Sequence, residues 1–179
     1  VTWAWYECVK ENGLTAVHGD YKVDNKSFSQ GLKPVMDHIK ARGMKPCLYF
    51  QLGLVGKDGR IAKEHPEWLM LNEKGKPYAI HTQWDSNTVH MCLSSPWKDY
   101  IKNIMVDYIK TYDIKWLMLD LSSIVSAYVP DVAKTGCHAK NHEHKDLAES
   151  YYLNYKNITD LFDELKTQED PRAMGDGKV

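Results

Sequence analysis

Several features are scarce in this sequence, and each scarcity excludes something. The four cysteines, Cys8, Cys47, Cys92 and Cys137, form no Cys-x-x-Cys pair, which removes the redox and zinc motifs that use that spacing. Two of them, Cys47 and Cys92, fall in strand-like runs, so they read as small buried apolar residues rather than disulfide partners. Cysteine usage leaves the compartment open between cytoplasmic and periplasmic or secreted. There is no block of one charge sign and the formal net charge is −1, so neither nucleic acid nor a membrane surface is expected as a partner. No apolar run approaches the roughly 20 residues of a membrane span. An initiator Met is missing, and Val-Thr-Trp-Ala-Trp at the start reads as strand rather than signal peptide, so the chain is expected to be processed or excised from a longer one. At 179 residues it can bury one sizeable core.

Aromatic residues, by contrast, are abundant. Six Trp and eleven Tyr suit core packing and equally suit a cleft that stacks sugar rings. Apolar spacing at Leu32, Val35, Met36 and Ile39 predicts a helix, with Ser29 as a candidate N-cap, Pro34 near the first turn and Gly43 as the stop. Cys47–Phe50 follows as a buried strand ending at Gln51. Ile61–His65 reads as a short helix, Pro66–Met70 leads into extended chain, and Asn72–Pro77 reads as a turn between short strands. Val89–Leu93 is a further strand. Ser95-Pro96 offers an N-cap and N1 proline to a helix whose apolar face is Trp97, Ile101, Ile104, Met105 and Tyr108. Asp146-x-x-Glu149 resembles a capping box ahead of a last long helix.

Between those two helices lies Trp116-Leu117-Met118-Leu119-Asp120. An unbroken apolar run this short predicts a strand buried on both faces, as in a parallel sheet. Asp120 closes it, at the strand end where parallel α/β folds place their sites. A loop aspartate capping the next turn through Ser122 or Ser123 is the alternative. Three or four βα units are too few for a closed eight-stranded barrel of about 250 residues, which leaves a small open α/β sheet or a piece of a barrel. Residues 1–166 would form that unit and 167–179 a polar, frayed tail.

Gly19-Asp20-Tyr21-Lys22-Val23-Asp24, Phe28-x-x-Gly31-Leu32-Lys33-Pro34, Gly43-Met44-Lys45, Glu64-His65-Pro66-Glu67-Trp68 and Leu93-Ser94-Ser95-Pro96 together resemble glycoside hydrolase family 36, the bacterial α-galactosidases. The resemblance implies part of a (β/α)8 TIM-barrel catalytic domain, acting with retention on an α-linked glycoside. It makes Asp120 the nucleophile and puts the acid/base on a later strand, beyond this chain. It implies Trp5, Tyr21, Gln51 and Met118 as sugar-contacting positions. An oligosaccharide or glycoside is then the partner, the rest of the barrel comes from further chain or an oligomer, and double displacement requires no cofactor.

Departures from the family pattern are concentrated at the sugar-binding positions. Met118 stands where the family has Lys, and Tyr49-Phe50-Gln51-Leu52-Gly53 replaces Trp-Phe-Glu-Pro-Glu, losing two carboxylates. Thr2-Trp3-Ala4-Trp5 replaces Asp-Asp-Gly-Trp, and Tyr21 replaces Trp. These changes set a silent carbohydrate-binding relative beside the enzyme. The loop Gly136–Lys145 adds His138, Asn141, His142 and His144 to Cys137. It reads as a polar capping loop, as a substrate-contacting loop through His138, Asn141 and His142, or as the ligand set of a metal-dependent α/β protein, though the spacing matches no closed zinc motif. The polar capping loop is preferred, His138, Asn141 and His142 are kept as candidate sugar contacts, and no metal is expected.

Overall fold

The structure is a computed structural model that describes residues 5–10, 13–14, 18–80, 87–120 and 136–169. Of the predicted first strand only Trp5 falls within them. Ser122, Ser123 and the tail beyond Glu169 lie outside the described residues.

A parallel pair organises the chain. Strand β3 (Cys47–Gln51) follows helix α1 (Lys33–Ala41), and strand β7 (Trp116–Asp120) follows helix α3 (Trp97–Tyr112). The strands pair residue for residue, from Cys47 opposite Trp116 to Gln51 opposite Asp120. Ahead of them β1 (Val9–Lys10) and β2 (Gly13–Leu14) form a small antiparallel hairpin. The connection between β3 and α3 is not a simple crossover. It holds an antiparallel sheet of β4 (Leu54–Gly56), β6 (Thr88–His90) and β5 (Ala79–Ile80), with β6 in the middle. Helix α2 (Arg60–Glu64) and a 3₁₀ turn at Pro66–Trp68 sit between β4 and β5. Among the described residues, the three or four βα units expected from spacing therefore reduce to one parallel pair plus an inserted antiparallel layer. Helix α4 (Leu147–Glu169) packs on α3 and carries through the first residues read as tail. No described helix is long and apolar enough to cross a membrane.

The core lies between the parallel pair and its helices. Leu48 and Phe50 of β3, Met36 of α1, and Trp97, Ile101 and Met105 of α3 are fully buried in one cluster. Half-buried Leu117 and Leu119 of β7 pack on the same side, as period-2 alternation requires. Trp97 is anchored besides by its indole N–H, which donates to Leu52 O at 2.7 Å. Asn157 of α4 reaches back to Leu93 O at 2.8 Å, and Lys102 of α3 pairs with Glu164 at 2.9 Å.

Two local expectations shift. Helix α1 starts at Lys33, not near Ser29, and Leu32 occupies the cap position. Gly31 at φ 72° turns the backbone first, which no helix tolerates. Helix α3 begins at Trp97, but Ser95 still helps: its hydroxyl accepts from the Trp97 N–H at 3.3 Å and donates to Cys92 O at 2.7 Å. At α4 the Asp146 half of the capping box forms as expected, while the Glu149 half is shifted to the N–H one residue earlier. Asp146 Oδ1 accepts from Glu149 N–H at 2.8 Å, and Glu149 Oε2 accepts from Lys145 N–H at 2.6 Å.

Strand β7 is not buried on both faces. Trp116, Met118 and Asp120 are exposed while Leu117 and Leu119 are half-buried. The cause is its place at an edge: among the described residues β7 pairs only with β3.

Gly19 marks the tightest approach of backbone to core. Its φ is 133°, and a Cβ there would sit 2.6 Å from Ile61 Cγ2 and 3.0 Å from Val55 Cγ1. Gly19→Ala meets both a disfavoured backbone angle and a steric clash. It is expected to lower stability by about 2 kcal/mol or more, read as a shift of the urea midpoint. An unchanged midpoint would contradict the packing described.

Candidate active site

The carboxyl end of the parallel pair gathers polar side chains from three segments. Tyr49 and Gln51 of β3 alternate away from the helices, and the register sets them across from Met118 and Asp120 of β7. The Tyr49 hydroxyl donates to Asp120 Oδ2 at 2.9 Å. Gln51 Nε2 donates to the same Tyr49 hydroxyl at 3.1 Å. Buried Gln51 Oε1 has no hydrogen-bond partner among the described residues.

The turn Gly19–Asp24 braces this strand end. Tyr21 is held at φ 51°, a left-handed angle that costs a non-glycine residue on the order of 1 kcal/mol. In return its hydroxyl donates to Gln51 O at 2.5 Å and accepts from Gln51 N–H at 2.9 Å. Tyr108 of α3 donates to Tyr21 O at 2.6 Å. The indole N–H of Trp5 donates to Tyr49 O at 2.7 Å. Asp20 takes a two-point ion pair from Arg60, with Nη2 at 2.8 Å and Nε at 3.1 Å. Asp24 accepts from Ser27 Oγ at 2.6 Å and Lys26 N–H at 3.1 Å, so it closes its own turn.

Burial sets the chemistry of the phenols. Desolvation, and then the hydrogen bond to the Asp120 carboxylate, push the Tyr49 hydroxyl well above the usual tyrosine range. Burial does the same at Tyr21, against a smaller opposing effect of the Gln51 backbone bond. Both stay protonated donors at any physiological pH. A neutral donor fixes the direction of the Asp120 carboxylate without adding a cation beside it.

The predicted positions thus divide. Gln51, Met118 and Asp120 come together at one strand end, with Met118 half-exposed on the Asp120 face. Trp5 and Tyr21 are fully buried and meet the site through the β3 backbone. His138, Asn141 and His142 belong to a different region, against the antiparallel sheet. His138 N–H donates to Leu71 O at 2.8 Å, while Asn141 Nδ2 and His142 Nε2 both reach Glu67 O, at 3.3 and 2.8 Å. Sequence reading left out Tyr49 as a site residue. Its signal was the alternation with Gln51 on one strand.

Four side chains in that second region converge. Donor atoms of Cys92, Cys137, His142 and His144 all lie within 4.8 Å of one another. Hydrogen bonding from Cys92 lowers the Cys137 thiol, against desolvation, and His142 with the Ala139 and Leu71 backbone adds to the lowering. The Cys92 thiol is pushed up by the same bond and by burial.

A parallel strand pair, each strand preceded by its helix, is the unit of which (β/α)8 barrels and open α/β sheets are built. Residues 4–175 match the Melibiase family model, and the chain belongs to that family. It is 30% identical over 119 residues to α-galactosidase Mel36A of Lactobacillus acidophilus, covering 63% of this chain and 15% of that protein. The α-galactosidase of Lactobacillus brevis superposes with a TM-score of 0.65 at 19% identity, over 95% of this chain and 21% of that one. That of Thermus thermophilus, solved with stachyose, gives 0.62 at 15% identity, over 89% and 30%. The chain spans less than a third of the length of each of these relatives.

Tyr49→Phe removes the hydroxyl shared by Gln51 and Asp120, leaving the buried Gln51 amide without that partner. A loss of about 1–3 kcal/mol is expected, read from denaturant unfolding. A stability unchanged within error would show that the bond does not form.

Proposed function

We propose that this chain supplies the nucleophile side of a retaining glycoside hydrolase acting on an α-linked glycoside, an α-galactoside or a related sugar. The observation that carries the reading is the Tyr49–Asp120 hydrogen bond at the carboxyl end of β7. A retaining glycosidase needs one carboxylate aimed at the anomeric carbon and a second carboxyl about 5–5.5 Å away. Asp120 is the first. It attacks to form a glycosyl-enzyme, while the acid/base, assigned by family resemblance to a later strand, protonates the leaving oxygen and then activates water. Tyr49 orients the attacking oxygen, and its persistent proton keeps it a donor throughout. Gln51 donates its amide N–H to the Tyr49 hydroxyl and so fixes the position of that hydroxyl. Trp5 and Tyr21 act beneath the site by holding the β3 backbone.

In the parent protein, Asp120→Asn keeps size and hydrogen bonding but removes the anion. Turnover is expected to fall by several orders of magnitude with folding retained, and a slow ring-fluorinated substrate should label Asp120, located by mass spectrometry of the tagged peptide. Retained activity, or a label on another carboxylate, would move the role elsewhere, whereas glycoside binding without turnover by the unaltered parent would favour a silent carbohydrate-binding relative.

Met118 presents a thioether where the family pattern has an ammonium donor, so simple aryl α-galactosides are expected to be poor substrates. Restoring the donor with Met118→Lys should raise kcat/KM on them at least about tenfold, the equivalent of 1.4 kcal/mol of transition-state binding. Equal rates for both proteins would make position 118 irrelevant to sugar recognition.

A further inference from the structure

We propose that Cys92, Cys137, His142 and His144 form a tetrahedral zinc site that clasps the 136–146 loop onto the antiparallel sheet. Four donors from two distant segments meet within 4.8 Å. Cys92 lies just after β6, and the other three come from the loop ahead of α4. Two thiolates and two imidazoles are a preferred donor set for zinc. With Zn–S of about 2.3 Å and Zn–N of about 2.0–2.1 Å, tetrahedral donors stand roughly 3.3–3.8 Å apart. The Cys137 Sγ to His142 Nδ1 separation is already 3.3 Å. Side-chain shifts of roughly an ångström close the rest of the shell.

The surroundings favour an ion over a plain hydrogen-bonded cluster. His142 Nε2 lies 2.8 Å from the Glu67 carbonyl, which can only accept, so that nitrogen carries the proton. Nδ1 is then the ring atom that faces Cys137 Sγ, with Nε2–H on the Glu67 carbonyl as the outer partner typical of metal-bound histidine. His144 is 6% exposed, and its Nε2 is buried with no partner among the described residues. Cys92 and Cys137 are 1% and 2% exposed. Two buried thiolates would repel each other, and a dication makes the set neutral. All four positions are filled by protein, so the ion would be structural.

What it would hold is specific. His138 N–H binds Leu71 O and Glu143 N–H binds Ser94 O, so the loop already lies along the 68–94 region. Gly136 allows the entry, since a Cβ there would meet Leu147 side-chain atoms at 2.8 and 2.9 Å. Loop and sheet each present backbone to the other, and the ion would lock that contact.

The test uses untagged protein purified without chelator, with metal measured by mass spectrometry of the elements. About one zinc per chain is expected. After chelation under reducing conditions, added Zn2+ should rebind and slow proteolysis within 136–146. Co2+ in its place should give the strong visible bands of a tetrahedral site together with a thiolate charge-transfer band. Cys137→Ser and His144→Gln should each weaken zinc binding by more than roughly 100-fold, beyond the 10–100-fold of losing an outer partner. His142→Gln, at a half-exposed position, guards against misfolding of the buried variants. His138→Gln, outside the cluster, should keep the metal. Folded protein holding less than about a tenth of an equivalent after Zn2+ addition would overturn the proposal. So would zinc retained in all three ligand variants, a cobalt spectrum without thiolate bands, or a Cys92–Cys137 disulfide in the protein as isolated.

Discussion

The register of the β3–β7 ladder is the constraint on which the site depends. Parallel pairing sets Gln51 opposite Asp120 and Tyr49 opposite Met118. A slip of one residue would turn Asp120 toward Leu48 and Phe50 and bring Leu119 to the site face. The register is set from the other side of the sheet, where Leu48, Phe50, Leu117 and Leu119 pack on α1 and α3. Hydrophobic burial therefore aims a carboxylate it never touches.

Aromatic residues supply the stiffness beneath. Trp5 meets Tyr6, Phe50 and Tyr108 edge-on, with centroids 5.2, 5.5 and 4.8 Å away. Such contacts each add about 0.5–1.5 kcal/mol beyond burial. The Trp5 indole and the Tyr21 and Tyr108 hydroxyls donate to backbone carbonyls of Tyr49, Gln51 and Tyr21 respectively. The left-handed Tyr21 is the one strained element in this set, and the two bonds to Gln51 outweigh its cost. Family motifs here serve the frame as much as the chemistry: Asp20 holds Arg60, and Asp24 holds its own turn.

Local structure was legible because it is encoded locally. The apolar stripe from Trp97 to Tyr108, the Asp146/Glu149 box and the Cys47–Gln51 strand each announce themselves within one window. Relations across the chain were not. That β7 pairs on one side only among the described residues, with Met118 and Asp120 exposed, depends on its neighbours rather than on its own residues. That Cys92 meets Cys137 depends on a return of the chain which no spacing encodes, and the loop alone offered only an incomplete ligand set. Asp120 was legible for both reasons at once, as a strand end and as a match to a family motif. Tyr49 was passed over because the family comparison drew attention to the carboxylates lost around it.

Those losses have an electrostatic logic once the register is known. The family pattern carries a carboxylate where Gln51 stands, and here that position lies directly across a strand pair from Asp120, with strands about 4.8 Å apart. Two anions so placed would raise one another's proton affinity. An amide removes the repulsion and contributes a donor to Tyr49, which passes its own proton toward Asp120. The Tyr49–Gln51 pair is thus a coherent substitution rather than simple decay of a site. It keeps one oriented carboxylate at the strand end while surrendering the charged contacts that a galactose-specific pocket uses. That pattern supports the proposed change of sugar preference more directly than it supports a silent relative.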